Sequence, residues 1–314
     1  MPTVHIVVTP GSGEGRAMRT ARRLRAVLRR RGRAGTIQSF ADLGSLAEWA
    51  ATCPPDFSAL VCIGGDATLS AAAPAAIRTG SPFLPVPNGF GNVFAGVFKF
   101  PDRASAVARL LERGEVRRVD LGMAEGPQGR EVFLSHRSYG MLEQIQQVAE
   151  RGRKQPRRRI LRYLWYYGVA QRFLFRTKLA GFKVEVDGTQ VADDAVLVTV
   201  ANVETYRGFL ELTPTASPID GLFDVFVIPR VSKARLMLRL LRLQLQLRGR
   251  WKGVALYRGR QVVVTTPRRR EVLTVRRGAL PLLVPRGTIE ELRTRIVDDP
   301  PPIDDPLSVP SAQP

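Results

Sequence analysis

Residues 59–70 read Ala-Leu-Val-Cys-Ile-Gly-Gly-Asp-Ala-Thr-Leu-Ser, an apolar strand that runs into Gly64, Gly65 and Asp66 and then into an alanine-rich helical stretch. A strand, a glycine pair and a helix in that order make a place for a phosphate. The glycines let backbone approach an anion closely, and the helix start aims free N–H groups and the positive end of its dipole at the same point. Asp66 adds one carboxylate for a proton or a hydrated metal ion. By itself the triplet is also what a simple glycine turn with a helix-capping aspartate looks like, so the rest of the chain has to decide.

Outward from this junction the first third alternates strands with helices, as in an α/β sheet with crossover helices. Val4–Val8, Thr36–Phe40, Ala59–Ile63 and Phe83–Pro87 read as strands. Ala17–Arg31, Asp42–Ala51, Thr68–Thr79 and Arg103–Leu111 read as helices. A second glycine-bearing loop, Pro87-Asn88-Gly89-Phe90-Gly91-Asn92, follows the next strand at the same sheet edge, and parallel sheets place ligands at such carboxyl ends. From about Val116 the texture turns to β-type alternation, with strands expected at 117–123, 131–135, 183–186, 195–203, 222–228 and 261–265, and a helix within 157–179. Ser232–Leu247 has a helical stripe of Leu236, Leu240, Leu243 and Leu247 behind an N-cap at Ser232. The expected organisation is a three-layer-type α/β nucleotide-binding domain over 1–116, a mostly antiparallel β-sandwich domain over 117–297 and a disordered tail over 298–314.

The 314 residues carry a formal charge of +20, which predicts attraction to nucleotides, anionic lipid headgroups or nucleic acid. Helix-turn-helix, RNA-recognition and zinc-finger patterns are absent, so no nucleic-acid partner is expected. Arg162, Arg172, Arg176, Arg239 and Arg242 interrupt every apolar run short of the roughly 18–20 residues of a membrane span. The start, Met-Pro-Thr-Val-His-Ile-Val-Val, enters a strand without a visible export signal, and Cys53 and Cys62 form no disulfide framework, so a cytoplasmic setting is expected. His5 and His136 have no partners at zinc-ligand spacing. The basic run Arg151–Arg159 beside the aromatic stretch Ile160–Tyr167 suits an anionic membrane surface, or else is a solvated loop before a core helix.

Taken together, the motifs resemble the diacylglycerol kinase and sphingosine kinase superfamily, in particular its small bacterial lipid kinases. Gly64-Gly65-Asp66-Ala67-Thr68 is similar to that family's Gly-Gly-Asp-Gly-Thr, and Thr9-Pro10-Gly11-Ser12-Gly13 to its Asn-Pro-x-Ser-Gly. Pro87–Ala95 resembles Pro-x-Gly-Thr-x-Asn-Asp-Phe-Ala, keeping Gly89, Asn92, Phe94 and Ala95. Val119-Asp120-Leu121-Gly122 and the segment Pro214 to Val225 resemble its later Asp-Leu-Gly and Pro-x-Ala-x-x-x-Asp-Gly-x-x-Asp-Val. The resemblance implies an ATP-dependent lipid kinase. Its nucleotide contacts fall on Ser39, Gly64, Gly65, Asp66, Ala67, Thr68, Leu69, Ser70 and Asn92, and a Mg²⁺ site on Ser217, Asp220 and Leu222. Asp220-Gly221 is equally a plain β-turn pattern, and Asp187-Gly188-Thr189 reads as a turn.

The departures fall where chemistry is expected. Ala67 stands for a glycine, Phe90 for a threonine, Val93 for an aspartate, and Arg277-Gly278-Ala279 for the family's late Asp-Gly-Glu. Asp66 is then the remaining candidate catalytic carboxylate. Arg276 and Arg277 either fork onto phosphate oxygens or belong to a drifted, solvated hairpin. Two functions remain open on sequence: a lipid kinase bound peripherally to the membrane, and a catalytically impaired relative that binds nucleotide or anionic lipid. An NAD kinase relative shares only the Gly-Gly-Asp signature.

Overall fold

The structure is a computed structural model that describes residues 3–9, 15–89, 91–127, 129–140, 168, 181–204, 212–244, 253–266 and 269–298. Pro10–Gly13, Phe90, the basic and aromatic stretch 151–167, nearly all of the helix expected within 157–179 and the tail from 299 lie outside the described residues.

Four parallel strands form the first lobe in the order β2 (Gly35–Ser39), β1 (Thr3–Val8), β3 (Phe57–Gly64), β4 (Phe83–Pro87). Strand β3 is buried over nearly its whole length, as expected of a strand covered by helices on both faces. Helix α1 (Arg16–Arg30) buries Ala17, Ala21, Leu24 and Leu28, one stripe at helical spacing, while its arginines stay in water. Each leucine contributes about 1.5–3 kcal/mol by that burial. Helix α2 (Leu43–Thr52) starts at a capping box in which Asp42 and Ser45 satisfy each other's free N–H groups. Helix α3 (Asp66–Thr79) packs along α2, and α4 (Val93–Val97) and α5 (Ala104–Arg113) complete the lobe. In this lobe the observed boundaries lie within about two residues of those read from sequence, the usual spread for helix and strand ends; in the second lobe the strand Thr189–Ala201 starts six residues before the expected 195, and the strand Arg269–Val284 is not among those expected.

Antiparallel strands build the second lobe: β5 (Glu115–Gly126), β6 (Gly129–Phe133), β7 (His136–Gly140), β8 (Phe182–Val186), β9 (Thr189–Ala201), β10 (Phe223–Pro229), β11 (Ala255–Gly259), β12 (Gln261–Thr266) and β13 (Arg269–Val284). The turn expected at Asp187-Gly188 joins β8 to β9, with both residues at positive φ, 48° and 83°. Strand β10 is buried on both faces. Val225 and Val227 point into the core shared with β8, β9 and β12, whereas Phe226 and Ile228 point into a small core with Leu236 of α6 (Lys233–Gln244). The Ser232 hydroxyl caps α6 by accepting the Arg235 N–H at 3.4 Å.

Strand β13 joins the lobes. Its first residues, Arg269–Thr274, pair with β12 on one side, Val272–Val284 runs antiparallel to β5 on the other, and Leu282 lies in parallel register with Phe83 of β4. Leu280, Leu282, Leu283 and Val284, with Ile289 and Leu292 of α7 (Thr288–Asp298), therefore belong to the first lobe's core. The expected α/β lobe followed by a β-rich lobe is the observed architecture.

Candidate active site

The carboxyl ends of β2, β1, β3 and β4 bring Ser39, Thr9, Gly64–Gly65 and Pro87–Asn88 to one edge. Gly65 caps α3 in an extended conformation, φ −94° and ψ −178°, and no side chain at the cap bonds the first helical N–H groups. Thr68 folds back over Gly64, where a Cβ would sit only 2.5 Å from the threonine Cβ. The Thr68 hydroxyl bonds that of Thr9 at 3.1 Å and is buried, Leu69 is fully buried in the core, and Ser70 accepts the Leu134 N–H of the second lobe at 3.3 Å. Ala67 is an exposed residue in the first turn of α3, outside the positive-φ set, so the missing glycine costs nothing there.

The two glycine loops touch backbone to backbone. A Cβ on Gly89 would lie 2.4 Å from the Gly65 Cα, and one on Gly65 would lie 3.1 Å from the Gly89 Cα. Asn88 N–H donates to Gly64 O at 2.9 Å across the same junction. Asn92 adopts a left-handed conformation and closes its own loop, accepting from Gly89 N–H and donating to Gly89 O, each at 2.8 Å. Asp66 then locks the pair: its Oδ2 accepts Val93 N–H and its Oδ1 accepts Phe94 N–H, both at 2.9 Å. The carboxylate thus caps α4 from the start of α3, where two helix ends favour a negative charge. Val93 spends its amide on this bond while its side chain packs against the core.

A cavity of about 460 Å³ opens beside these loops; Arg16 and Arg23 of α1, Arg103 at the start of α5, Asn88, Gly89 and Asn92 line it, with one carboxylate, Asp102, among them. Sequence reading singled out none of these arginines; the excess positive charge was their only signal. An arginine-lined hollow at a glycine-loop edge is suited to phosphate oxygens, which accept forked, charge-assisted bonds.

Two family models account for most of the chain. Residues 3–124 match the diacylglycerol kinase catalytic domain, and residues 138–281 match the YegS C-terminal NAD kinase beta sandwich-like domain. The chain belongs to the diacylglycerol kinase-like family. A diacylglycerol kinase of Mycobacterium tuberculosis is 26% identical over 241 residues, covering 74% of this chain and 75% of that protein. A diacylglycerol kinase of Staphylococcus saprophyticus is 25% identical over 235 residues, with 74% of each covered. The crystal structure of a diacylglycerol kinase from Bacillus anthracis shares the fold, with a TM-score of 0.67 at 18% identity over 91% of this chain and 98% of that one. The family and these relatives make the protein a kinase, a phosphotransferase that uses an ATP-type nucleotide.

Within this kinase-family lobe pair, the position of the late carboxylates is not a hairpin. Arg277-Gly278-Ala279 forms a bulge inside β13, between the register shift points Arg276 and Leu280. Asp120 pins it. This buried carboxylate accepts Gly278 N–H through Oδ1 and Gly221 N–H through Oδ2, both at 2.7 Å, and its own N–H donates to Pro218 O at 2.7 Å. Ala279 packs against the first core, and the Arg277 side chain lies over Gly221. The solvated drift considered from sequence therefore fits Arg276 and Arg277 only as exposed side chains on a fixed backbone.

Of Ser217, Asp220 and Leu222, the Asp220 carboxylate does not fit a bound Mg²⁺ as it stands. Asp220 Oδ1 accepts Leu222 N–H at 2.9 Å and its Oδ2 pairs with Arg258. The Ser217 hydroxyl is buried without a hydrogen-bond partner. Among the described residues no cluster of three or more Asp, Glu, His or Cys side chains is placed to hold a metal. His136, treated from sequence only as a non-ligand, stands within electrostatic reach of Asp66. Burial holds its imidazole below the ordinary histidine range, against the pull of that carboxylate. Among the described residues no helix is long and apolar enough to cross a membrane.

Proposed function

We propose that the protein transfers the terminal phosphoryl group of ATP to the hydroxyl of diacylglycerol or a similar lipid alcohol, working from the cytoplasm at a membrane surface. The observation that carries this reading is the contact of the two glycine loops, locked by Asp66 and flanked by Arg16, Arg23 and Arg103. Phosphoryl transfer asks mainly for positioning and charge stabilisation. Backbone N–H groups at Gly65–Thr68 are the nucleotide's contacts in this reading, because those of Leu69 and Ser70 lie inside the α3 hydrogen-bond ladder; Ser39 stands at the far side of the edge, and Asn92 acts by shaping its loop. Each Asp66 oxygen retains a further acceptor position beyond its amide bond. Asp66 orients the acceptor hydroxyl and takes its proton as the new O–P bond forms and the β–γ bridge breaks. The +20 charge and the basic and aromatic run 151–167 support attraction to anionic lipid.

The test is transfer of labelled γ-phosphate from ATP, with Mg²⁺ in the assay, to diacylglycerol and other lipid alcohols in mixed micelles. Labelled phospholipid from the wild type and none from Asp66→Asn supports the reading. A wild type that binds ATP in a fluorescence titration yet labels no lipid makes the protein a nucleotide-binding relative instead. Flotation with anionic and neutral liposomes tests the surface: equal absence of binding to both removes the membrane part.

A further inference from the structure

Three carboxylates crowd one turn of the second lobe. Asp220 and Asp224 both meet the Arg258 guanidinium, and Asp120 accepts the N–H of the adjacent Gly221. A hard divalent cation is one way to neutralise neighbouring carboxylates. Here the chain supplies a guanidinium. Arg258 of β11 lies opposite Asp224 of β10 in the strand register, and its Nε donates to Asp224 Oδ1 at 2.9 Å while its Nη2 pairs with Asp220 Oδ2. The remaining oxygens of these two carboxylates are also taken: Leu222 N–H donates to Asp220 Oδ1, and the Thr215 hydroxyl donates to Asp224 Oδ2. The outer side of the turn is covered as well, since a Cβ on Gly221 would fall 2.3 Å from Arg277 Nε.

We propose that Arg258 is the resident cation of this turn, and that the protein neither needs nor takes a divalent ion at Asp220. A guanidinium suits the place because it stays charged at every accessible pH, sheds water more readily than an ammonium and forks onto two acceptors at once. An incoming Mg²⁺ would have to lose much of its hydration, break both ion pairs and then sit beside the displaced positive charge. The inference rests on the ion pairs alone, so it stands or falls separately from the lipid-transfer assay.

Thermal unfolding of the full chain decides it, without nucleotide, after chelation and removal of the chelator. With about 10 mM Mg²⁺, Mn²⁺ or Ca²⁺ the wild-type midpoint is expected to stay within about 1 °C, because nothing binds the folded state preferentially. Arg258→Ala vacates the carboxylates; its midpoint falls, then recovers by about 3 °C or more on adding an ion, and a second change, Asp220→Asn, abolishes that recovery. Arg258→Lys keeps a positive charge and is expected to remain insensitive to ions. A wild-type midpoint that rises with the ion and loses the response in Asp220→Asn overturns the proposal, even if Arg258→Ala does not fold. A folded Arg258→Ala variant that ignores all the ions overturns it too.

Discussion

Replacing Gly89 with alanine tests the claim that the two glycine loops have to touch. The new Cβ lands 2.4 Å from the Gly65 Cα and 3.0 Å from its N, backbone atoms with no rotamer to escape into. Ordinary contact begins near 3.4 Å, so the loops must part by about 1 Å. The same change at Gly65 leaves its Cβ 3.1 Å from the Gly89 Cα, a shortfall of about 0.3 Å, and at Gly91 the nearest atom is already 3.5 Å away. Neither Gly65 nor Gly89 has a positive φ, so crowding and not backbone strain separates them. A misplacement of about 1 Å costs on the order of 100-fold in rate, and overpacking adds about 1–3 kcal/mol of destabilisation. Gly89→Ala is therefore expected to lower kcat/KM for ATP by roughly 100-fold, Gly65→Ala by a few-fold and Gly91→Ala by less than about twofold. Steady-state transfer with ATP varied reads the order, and far-ultraviolet circular dichroism confirms that each variant folds. A flat series, or Gly91→Ala falling below Gly89→Ala, refutes the reasoning.

Other expectations follow from single contacts. Asp66→Asn keeps one acceptor oxygen and turns an NH₂ toward a backbone N–H, so denaturant unfolding should show a loss of about 1–3 kcal/mol; no loss would mean that the carboxylate does not hold α4. Asp120→Asn breaks the link between Gly221 and the β13 bulge from a buried position and should cost about 2–4 kcal/mol by the same measurement. His136 is held below the ordinary value of 6.5, so under that pH the unfolded chain binds a proton that the folded chain does not, and stability falls as pH drops through the window down to the folded value. His136→Gln should lose less stability than the wild type between pH about 7 and about 5, and equal losses would remove His136 from this account. Asp220 and Asp224, shifted upward, act with the opposite sign: the stability they contribute is present below 3.8 and is lost as pH rises through their folded values.

The first lobe was legible because its signals are local. Apolar runs such as Leu60–Ile63 end at glycine, and Ala17, Ala21, Leu24 and Leu28 recur at helical spacing. What stayed hidden depends on partners far along the chain. Asp66 reads as a free carboxylate until the amides of Val93 and Phe94 close on it. Asp220 reads as a metal ligand or a turn until Arg258 arrives from β11. Arg276-Arg277-Gly278 has the look of a hairpin turn, and only Asp120, more than 150 residues earlier, makes it a bulge within one strand.

That strand bears on the order in which the protein can be made. Phe83 of β4 emerges early in synthesis, but its neighbour Leu282 comes almost 200 residues later. Until then the outer edge of β4 and the apolar side chains that meet Leu280, Leu283, Val284, Ile289 and Leu292 have no cover. The α/β lobe is therefore translated well before the strand that completes it. In the interval it is an unfinished sheet with an open edge, the kind of surface that holding chaperones bind and that other nascent chains pair with.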